Sequence, residues 1–207
     1  MQQSMHPRAI AYSPPGEPDD PWGPYVVEAS ERFGVAEGLV RSVMLRESAG
    51  RQWLNGRPII SSAGAMGLMQ VMPQTYAEQG RRLGLGEDPY LPHDNILAGT
   101  SMLAAMTRQY GLRGGLAAYN MGPGAYEAWL LGLREMPPET EDYMDLVEAE
   151  MPALQHRAEV LKAKRRAALI RMACMRIWKG RRSLSAQVIL PTPTIERRTT
   201  PSYLLHI

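Results

Sequence analysis

The chain has 207 residues, a length that suits one domain with extensions, and its 23 Lys and Arg nearly balance 21 Asp and Glu. A single cysteine, Cys174, excludes an internal disulfide framework and matches no metal-ligand spacing. No uninterrupted apolar run approaches the ~18 residues that a membrane-spanning helix needs, so the composition indicates a globular domain.

Residues 1–23 are rich in proline and are predicted to form a flexible leader. This segment lacks the basic start and the apolar stretch of a signal peptide, so the sequence does not show a route of export. From Pro24 the pattern becomes helical, because proline suits a first turn and an apolar stripe follows until Gly34 ends the helix.

A second helix is predicted over residues 36–48, with a core side that includes Val43 and Met44. Glu47 follows Met44 by three residues and Val43 by four, so it projects from the edge of the buried face. At such a boundary between core and cleft, a carboxylate is partly desolvated. Arg46 is adjacent in sequence, and we expect it to point away from the cleft, because neighbours on a helix face different directions.

Helices and turns continue through the rest of the domain. Asp94 and Asn95 are predicted to cap a long helix that Gly111 ends, and His93 is expected in the loop before that cap. The remaining expectations are a polar loop over 49–63, a helical turn over 66–72, and helices over 73–83, 96–110, 116–119, 125–131 and 140–150.

No strand alternation is evident before residue 186, so the fold class is predicted to be mostly α. The predicted domain covers residues 24–151, and the extension over 152–207 is predicted to be a basic helix at first and disordered after about residue 183. Residues 1–151 carry 11 Arg against 19 Asp and Glu, whereas residues 152–207 carry 12 Lys and Arg against two acids. Such a tail indicates an anionic membrane, wall polymer or nucleic acid as partner, and nucleic acid is the weakest candidate because no recognition module accompanies the charge.

Three short blocks occur in a fixed order within about 75 residues. They are Glu-Ser-Ala-Gly over residues 47–50, Gly-Ala-Met-Gly-Leu-Met-Gln-Val-Met-Pro over 64–73 and Ala-Ala-Tyr-Asn-Met-Gly-Pro-Gly over 117–124. Together the blocks resemble the soluble lytic transglycosylase family, with its SLT domain of the lysozyme-like superfamily, over residues 25–151. The resemblance implies a single lysozyme-like domain of the goose-lysozyme and transglycosylase type, with a groove for the bacterial peptidoglycan strand.

The resemblance also implies a mechanism with one carboxyl group. Most glycosidases use two carboxylates, but neither of the other blocks offers a partner to Glu47. In the family, one glutamic acid protonates the glycosidic oxygen between N-acetylmuramic acid and N-acetylglucosamine and then deprotonates the muramic C6 hydroxyl, leaving a 1,6-anhydro end. No metal or organic cofactor is implied.

The family's substrate-binding positions carry over onto the second and third blocks and onto Ser61 and Tyr143 outside them. Ser61 matches the serine near the catalytic carboxyl, and Gly64 with Gly67 allows close backbone approach to the sugar and the catalytic helix. Gln70 is expected to contact substrate, and Met69 or Met72 to line the cleft floor.

Tyr119 and Asn120 match the family's Ala-Tyr-Asn block, whose hydroxyl and amide orient the bound sugar and the carboxyl. Tyr143 matches a downstream tyrosine that reaches back toward the glutamate. The family has an arginine just after the preceding threonine, whereas this chain has Glu141, which puts the local ion pairing around Tyr143 in question.

Two other interpretations stay open at this stage. A hydrolytic muramidase related to goose-type lysozymes would leave reducing ends instead of anhydro ends. A wall-binding component of a secretion, conjugation or phage-entry machine would keep the groove without turnover. The expected place of action is the periplasm or cell wall, reached through such a machine, a virion, or a leader encoded upstream.

Overall fold

The computed structural model describes the backbone of residues 12–185 and the side chains of residues 12–177. The expectations for residues 1–11, part of the leader, and for residues 186–207, where the tail is predicted to be disordered, lie outside the described residues. Within the described part, six helices accompany one small hairpin. They are α1 Gly23–Phe33, α2 Glu37–Ser48, β1 Trp53–Leu54, β2 Arg57–Pro58, α3 Pro73–Leu83, α4 Pro92–Met121, α5 Pro123–Leu130 and α6 Pro138–Ser185.

Glycine and proline set most helix ends, as the sequence predicts. Gly34 ends α1 and Gly84 ends α3, each with a left-handed backbone at φ 69° and 71° respectively. Proline occupies the first turn of α1, α3, α4 and α5, where the missing N–H costs no intrahelical hydrogen bond.

The long helix α4 differs from the prediction at its start. It begins at Pro92, so Asp94 and Asn95 lie inside its first turn and do not cap it. Asp94 instead accepts a hydrogen bond from the Gly86 amide at 2.8 Å, in the loop that precedes the helix. Gly111 breaks the helical path with φ 76° and ψ 178°, where the sequence places the end of the first segment.

A single hydrophobic core lies among α1, α2, α4 and the first part of α6, with Tyr119 and Tyr143 at its margin. The largest fully buried apolar side chains are Leu68, Met69, Ile96, Leu97, Leu103, Leu116, Val26, Val40, Val43, Val71 and Val147.

His93 lies in the first turn of α4 and not in the predicted loop. Its Nδ1 lies 2.7 Å from Asp94, and its Nε2 lies 3.1 Å from Glu28 on α1.

Within the described residues the chain forms two compact units, which divide after Lys162. The first unit extends beyond the predicted domain at its N-terminal side. Tyr12 donates a hydrogen bond to Asp88 at 2.6 Å, and the buried Trp22 donates to the Gly50 carbonyl at 2.9 Å. Residues 12–23 therefore pack against the domain, where the proline content led us to expect flexibility.

The first unit also extends past residue 151, because α6 packs along α2. The Gly38 amide donates to the Gln155 side chain at 2.8 Å, and Ser42 donates to the Val147 carbonyl at 3.1 Å. Lys162 forms an ion pair with the buried Glu37. The helix passes through Pro152 without ending, so the domain helix and the basic helix of the tail are one element.

The second unit contains the part of α6 that follows residue 162, helical as far as Ser185. Among the described residues, no helix combines the length and the apolar character that crossing a membrane requires.

Candidate active site

The last turn of α2 presents Glu47 at the edge of the core. The two residues on which its position was predicted, Val43 and Met44, are buried, whereas Glu47 itself is partly buried. Ala49 then ends the helix in the left-handed region at φ 53°. The carboxyl therefore projects from a rigid element whose other face is fixed in the core.

A tyrosine from α6 contacts this carboxyl directly. The Tyr143 hydroxyl donates a hydrogen bond to Glu47 Oε1 at 2.8 Å, across 96 residues of sequence. Two further contacts between α2 and α6, made by Gln155 and Val147, hold Glu47 and Tyr143 next to each other. The downstream tyrosine thus reaches the glutamate as the sequence predicts.

The surroundings of Glu47 favour its neutral form. Burial raises the pKa of Glu47 from an ordinary 4.5 to about 7, and the hydrogen bond from Tyr143 opposes this increase. Arg46 forms an ion pair with Glu150 on α6, in agreement with its predicted direction. Burial and the nearby carboxylate together raise the pKa of Tyr143, so its hydroxyl stays protonated and donates.

Glu47 lies in a cleft of about 430 Å³, hereafter the Glu47 cleft, which gathers most of the predicted site residues. Among its described lining residues Glu47 is the only acid. The lining consists of Glu47, Ser61, Ala63, Ala65, Gln70, Met72, Thr75, Met102, Met106, Tyr119, Asn120, Met121, Gly122 and Pro123.

The segment over residues 66–71 is a tight turn beside the cleft and not the predicted helical turn. Met66 and Val71 exchange backbone hydrogen bonds at 3.0 Å, which closes a loop over residues 67–70. Asn95 is fully buried behind this loop; it accepts from the Met69 amide at 2.8 Å and donates to the Met66 carbonyl at 2.9 Å. The residue predicted as a helix cap therefore supports the cleft wall.

The two glycines of the second block lie outside the lining of the Glu47 cleft. Gly67 has φ 75°, and a Cβ built there would lie 2.5 Å from the Asn95 amide nitrogen, so the close approach that it permits is to a buried side chain. Gly64 has φ 89° with open space around its Cα, and it serves the turn in which its amide donates to the Ser61 carbonyl at 3.0 Å. It lies beside the cleft lining and is not part of it.

Tyr119 lines the cleft, but its hydroxyl is already engaged. It donates to the Met69 carbonyl at 2.7 Å in buried surroundings, so its proton is committed to the turn. Met69 is fully buried beneath that turn, which leaves Met72 as the methionine of the second block in the cleft.

The remaining polar groups of the cleft are oriented by neighbours. Ser61 accepts from the Ala65 amide at 3.0 Å, and Gln70 donates to the Gly67 carbonyl at 2.8 Å. Asn120 accepts from the buried Thr140 hydroxyl at 2.8 Å, which directs its amide group and leaves its N–H donors available. These groups suit hydrogen bonding to hydroxyl and acetamido groups along a sugar chain.

Sequence reasoning missed eight cleft residues. They are Ala63, Ala65, Thr75, Met102, Met106, Met121, Gly122 and Pro123. Met102 and Met106 are one turn apart on α4, where their periodicity indicates only a core face. No local signal separates a methionine that lines a cleft from one that fills the core, because both lie on the apolar side of a helix.

The sequence of this chain is similar to that of a known protein family and of named relatives. A family model described as "Transglycosylase SLT domain" matches residues 24–137, a range that ends before Tyr143. Membrane-bound lytic murein transglycosylase C of Haemophilus influenzae (strain PittEE) is 34% identical over 117 residues, covering 49% of this chain and 31% of the relative. The protein of the same name from Mannheimia succiniciproducens is 37% identical over 116 residues, covering 48% and 31%. The chain thus spans about a third of the length of these relatives.

Solved structures agree in fold. An inactive glutamate-to-glutamine variant of lytic transglycosylase Slt from Pseudomonas aeruginosa superposes with TM-score 0.57 at 26% identity, covering 66% of this chain and 24% of that one. The 70 kDa soluble lytic transglycosylase of Escherichia coli gives TM-score 0.56 at 25% identity, covering 65% and 24%. The predicted mostly α, lysozyme-like fold is confirmed.

Proposed function

The chain belongs to the Transglycosylase SLT domain family, and from that membership we propose that it is a peptidoglycan lytic transglycosylase with Glu47 as its single acid and base. One observation carries the proposal: the Glu47 cleft contains a lone carboxyl, partly buried, with its pKa raised to about 7 and a hydrogen bond from Tyr143. A carboxyl with such a pKa is substantially protonated near neutral pH, which general acid catalysis requires.

The proposed reaction needs no second carboxylate. Glu47 donates its proton to the glycosidic oxygen between N-acetylmuramic acid and N-acetylglucosamine, and the bond from that oxygen to muramic C1 breaks. The leaving oxygen becomes the C4 hydroxyl of N-acetylglucosamine. The Glu47 carboxylate then takes the proton of the muramic C6 hydroxyl, whose oxygen bonds to C1. The product is a 1,6-anhydro end, and Glu47 regains its proton without consuming water.

The neighbouring groups have separate roles in this proposal. Tyr143 holds the Glu47 carboxyl in place and stabilises its charged form midway through the reaction. Asn120, Gln70 and Ser61 face the cleft with oriented polar groups and would bind the sugar's hydroxyl and acetamido groups. Met72, with much of its side chain exposed, offers the sugar ring an apolar surface.

A hydrolytic muramidase is the rival within the same class. Such an enzyme usually needs a second carboxylate to activate water or to act as nucleophile. The absence of another acid among the described lining residues favours the intramolecular route. A non-catalytic wall-binding component is the rival from another class, and the raised pKa of Glu47 argues against it, since a binding groove has no need of a neutral carboxyl. In each case the expected place of action is the periplasm or cell wall.

Mass spectrometry of the soluble products from purified peptidoglycan tests the proposal. The wild type, Glu47→Gln and the matched control Glu31→Gln, which changes an exposed residue of α1, are compared. We expect anhydro-muropeptides from the wild type and the control, and none from Glu47→Gln. Reducing ends from the wild type would establish the hydrolase instead. Retained glycan binding without products from any of the three would establish the wall-binding component.

A further inference from the structure

The part of α6 in the second unit has a surface of its own. The stretch 163–177 contains five Lys and Arg and no Asp or Glu. Every side chain from residue 167 to residue 177 is exposed, including Leu169 at 62%, Ile170 at 63% and Ile177 at 59%. Aliphatic side chains this exposed within one short stretch mark an interaction surface and not an ordinary solvated helix.

Three of these side chains share one side of the helix. Successive residues of an α-helix are rotated by about 100°, so Ile170 lies about 100° from Leu169 and Ile177 about 80° from it. Ala173, one turn after Leu169, lies between them, and the four residues form an apolar arc, hereafter the Leu169 face. Met175 lies on the opposite side of the same helix, although it is equally exposed at 55%.

The cations are placed around this face. Arg176 lies close to its Leu169 edge, Arg166 lies at its N-terminal end, and Arg171 lies on the far side. Long arginine stems lie along an apolar surface while their charged ends extend outward to anionic groups. This arrangement suits a helix that lies in the plane of an anionic interface.

The combination of charge and aliphatic surface selects the partner. A second copy of this stretch would bring ten like charges together without an acid to offset them. A hydrophilic polyanion, such as nucleic acid, would neutralise the cations but leave the leucine and isoleucine side chains in water. An anionic lipid bilayer meets both needs, because phosphate headgroups lie directly above an apolar layer.

We propose that residues 163–177 bind the surface of an anionic lipid bilayer, with the Leu169 face at the acyl boundary and Arg166 and Arg176, beside that face, at the headgroups. The inference does not rest on the proposed glycan chemistry, since none of these residues belongs to the Glu47 cleft. Binding of this stretch through both electrostatic and apolar contacts would hold the proposed catalytic domain near the membrane.

Flotation of the full chain with lipid vesicles tests this inference. Vesicles of phosphatidylethanolamine with a quarter phosphatidylglycerol are compared with neutral phosphatidylcholine vesicles, at low and high NaCl concentration. Cys174, the single cysteine and an exposed one, takes an environment-sensitive dye as a second readout. We expect binding to the anionic vesicles that weakens with salt, and a blue shift of the dye.

Matched variants separate the two contributions to binding. Leu169→Gln with Ile177→Gln, which keeps helix propensity, is expected to weaken binding by roughly tenfold or more. Met175→Gln, an equally exposed change on the opposite side, is expected to bind like the wild type.

Charge variants complete the test. Arg166→Gln, Arg171→Gln and Arg176→Gln together are expected to weaken binding on the order of a hundredfold, and the corresponding lysine variants only slightly. Equal binding to neutral vesicles, or no binding to anionic ones, would overturn the inference. The inference would also be overturned if the Leu169 and Ile177 double variant bound vesicles as tightly as the wild type and the chain bound a DNA duplex tightly. The surface would then recognise polyanions and not a bilayer. Products released from soluble peptidoglycan fragments report the catalytic unit separately.

Discussion

Glu47→Gln is expected to stabilise the fold at alkaline pH, because the buried carboxyl is held at an energetic cost when it is charged. Burial raises its pKa from 4.5 to about 7, so the folded protein binds the proton more tightly than the unfolded chain does. Stability contributed by this group is complete below pH ~4.5 and is lost as the pH rises through ~7. Glutamine has nearly the same shape, stays neutral at every pH, and still accepts the Tyr143 hydrogen bond.

The magnitude follows from the two pKa values. Each unit by which the pKa differs between the folded and unfolded states corresponds to about 1.4 kcal/mol. Between pH 5 and pH 8.5, the wild type should therefore lose about 2.5 kcal/mol of unfolding free energy relative to Glu47→Gln. For a chain of this size, that difference corresponds to a relative increase in the melting temperature of roughly 5–10 °C for the variant.

Urea unfolding at both pH values, followed by circular dichroism, measures this difference. Glu31→Gln serves as the control, because it removes an exposed carboxyl of α1 and its effect should be the same at pH 5 and pH 8.5. If Glu47→Gln and wild type differ by the same free energy at both pH values, Glu47 is not desolvated in the folded state. The acid assignment would then lose its physical basis.

Three further substitutions test the neighbours of this carboxyl. Tyr143→Phe removes the hydrogen bond that lowers the pKa of Glu47, so the alkaline limb of the activity profile should move to higher pH while turnover falls roughly tenfold or more. Gly67→Ala places a methyl group against Asn95 at a positive φ and should cost on the order of 2–3 kcal/mol in urea unfolding. Tyr119→Phe leaves a buried carbonyl without its donor and should cost about 1–3 kcal/mol, yet products per folded molecule should remain within severalfold of wild type. A hundredfold loss of turnover with unchanged stability would instead show that this hydroxyl contacts the substrate.

The sequence predicts where Glu47 lies because that prediction depends on local information, whereas its catalytic role was predicted from the family resemblance. The spacing of Glu47 from Val43 and Met44 along one helix is sufficient to place it at the edge of the core. Its contact with Tyr143 was predicted from family resemblance, because a hydrogen bond across 96 residues depends on how α6 packs and leaves no periodic trace.

Asn95 shows why other side chains were misassigned. Asparagine near a helix start is usually a cap, since its side chain satisfies free backbone amides. Here proline already begins the helix three residues earlier, and the side chain instead serves the Met66 and Met69 backbone of a distant loop. Hydrogen bonding of the Asn95 side chain to this loop depends on tertiary packing. Local propensity therefore predicts the more common role, a helix cap, which is wrong here.

The small hairpin was missed for a related reason. Asn55 and Gly56 form a dipeptide typical of tight two-residue turns, and both have positive φ, but the strands on either side contain only two residues each. Alternation cannot be detected over such a short span. Likewise, the prolines before residue 22 predict a flexible or extended leader, whereas contacts of Tyr12 and the buried Trp22 fasten that segment to the domain.

The proposed mechanism with one carboxyl places a particular demand on the pKa of Glu47, and two opposing effects act on that pKa in the structure. A group that acts first as acid and then as base works best when its pKa is near the operating pH, because either extreme slows one of the two proton transfers. Burial alone would keep the acid protonated but would raise the cost of forming the carboxylate in the first proton transfer. The Tyr143 hydroxyl counters burial, since it donates to the carboxyl and lowers its pKa. The Tyr143 donor lies on α6, which is hydrogen-bonded along α2 at Gly38 and Ser42. These contacts between the two helices hold the hydroxyl beside the Glu47 carboxyl.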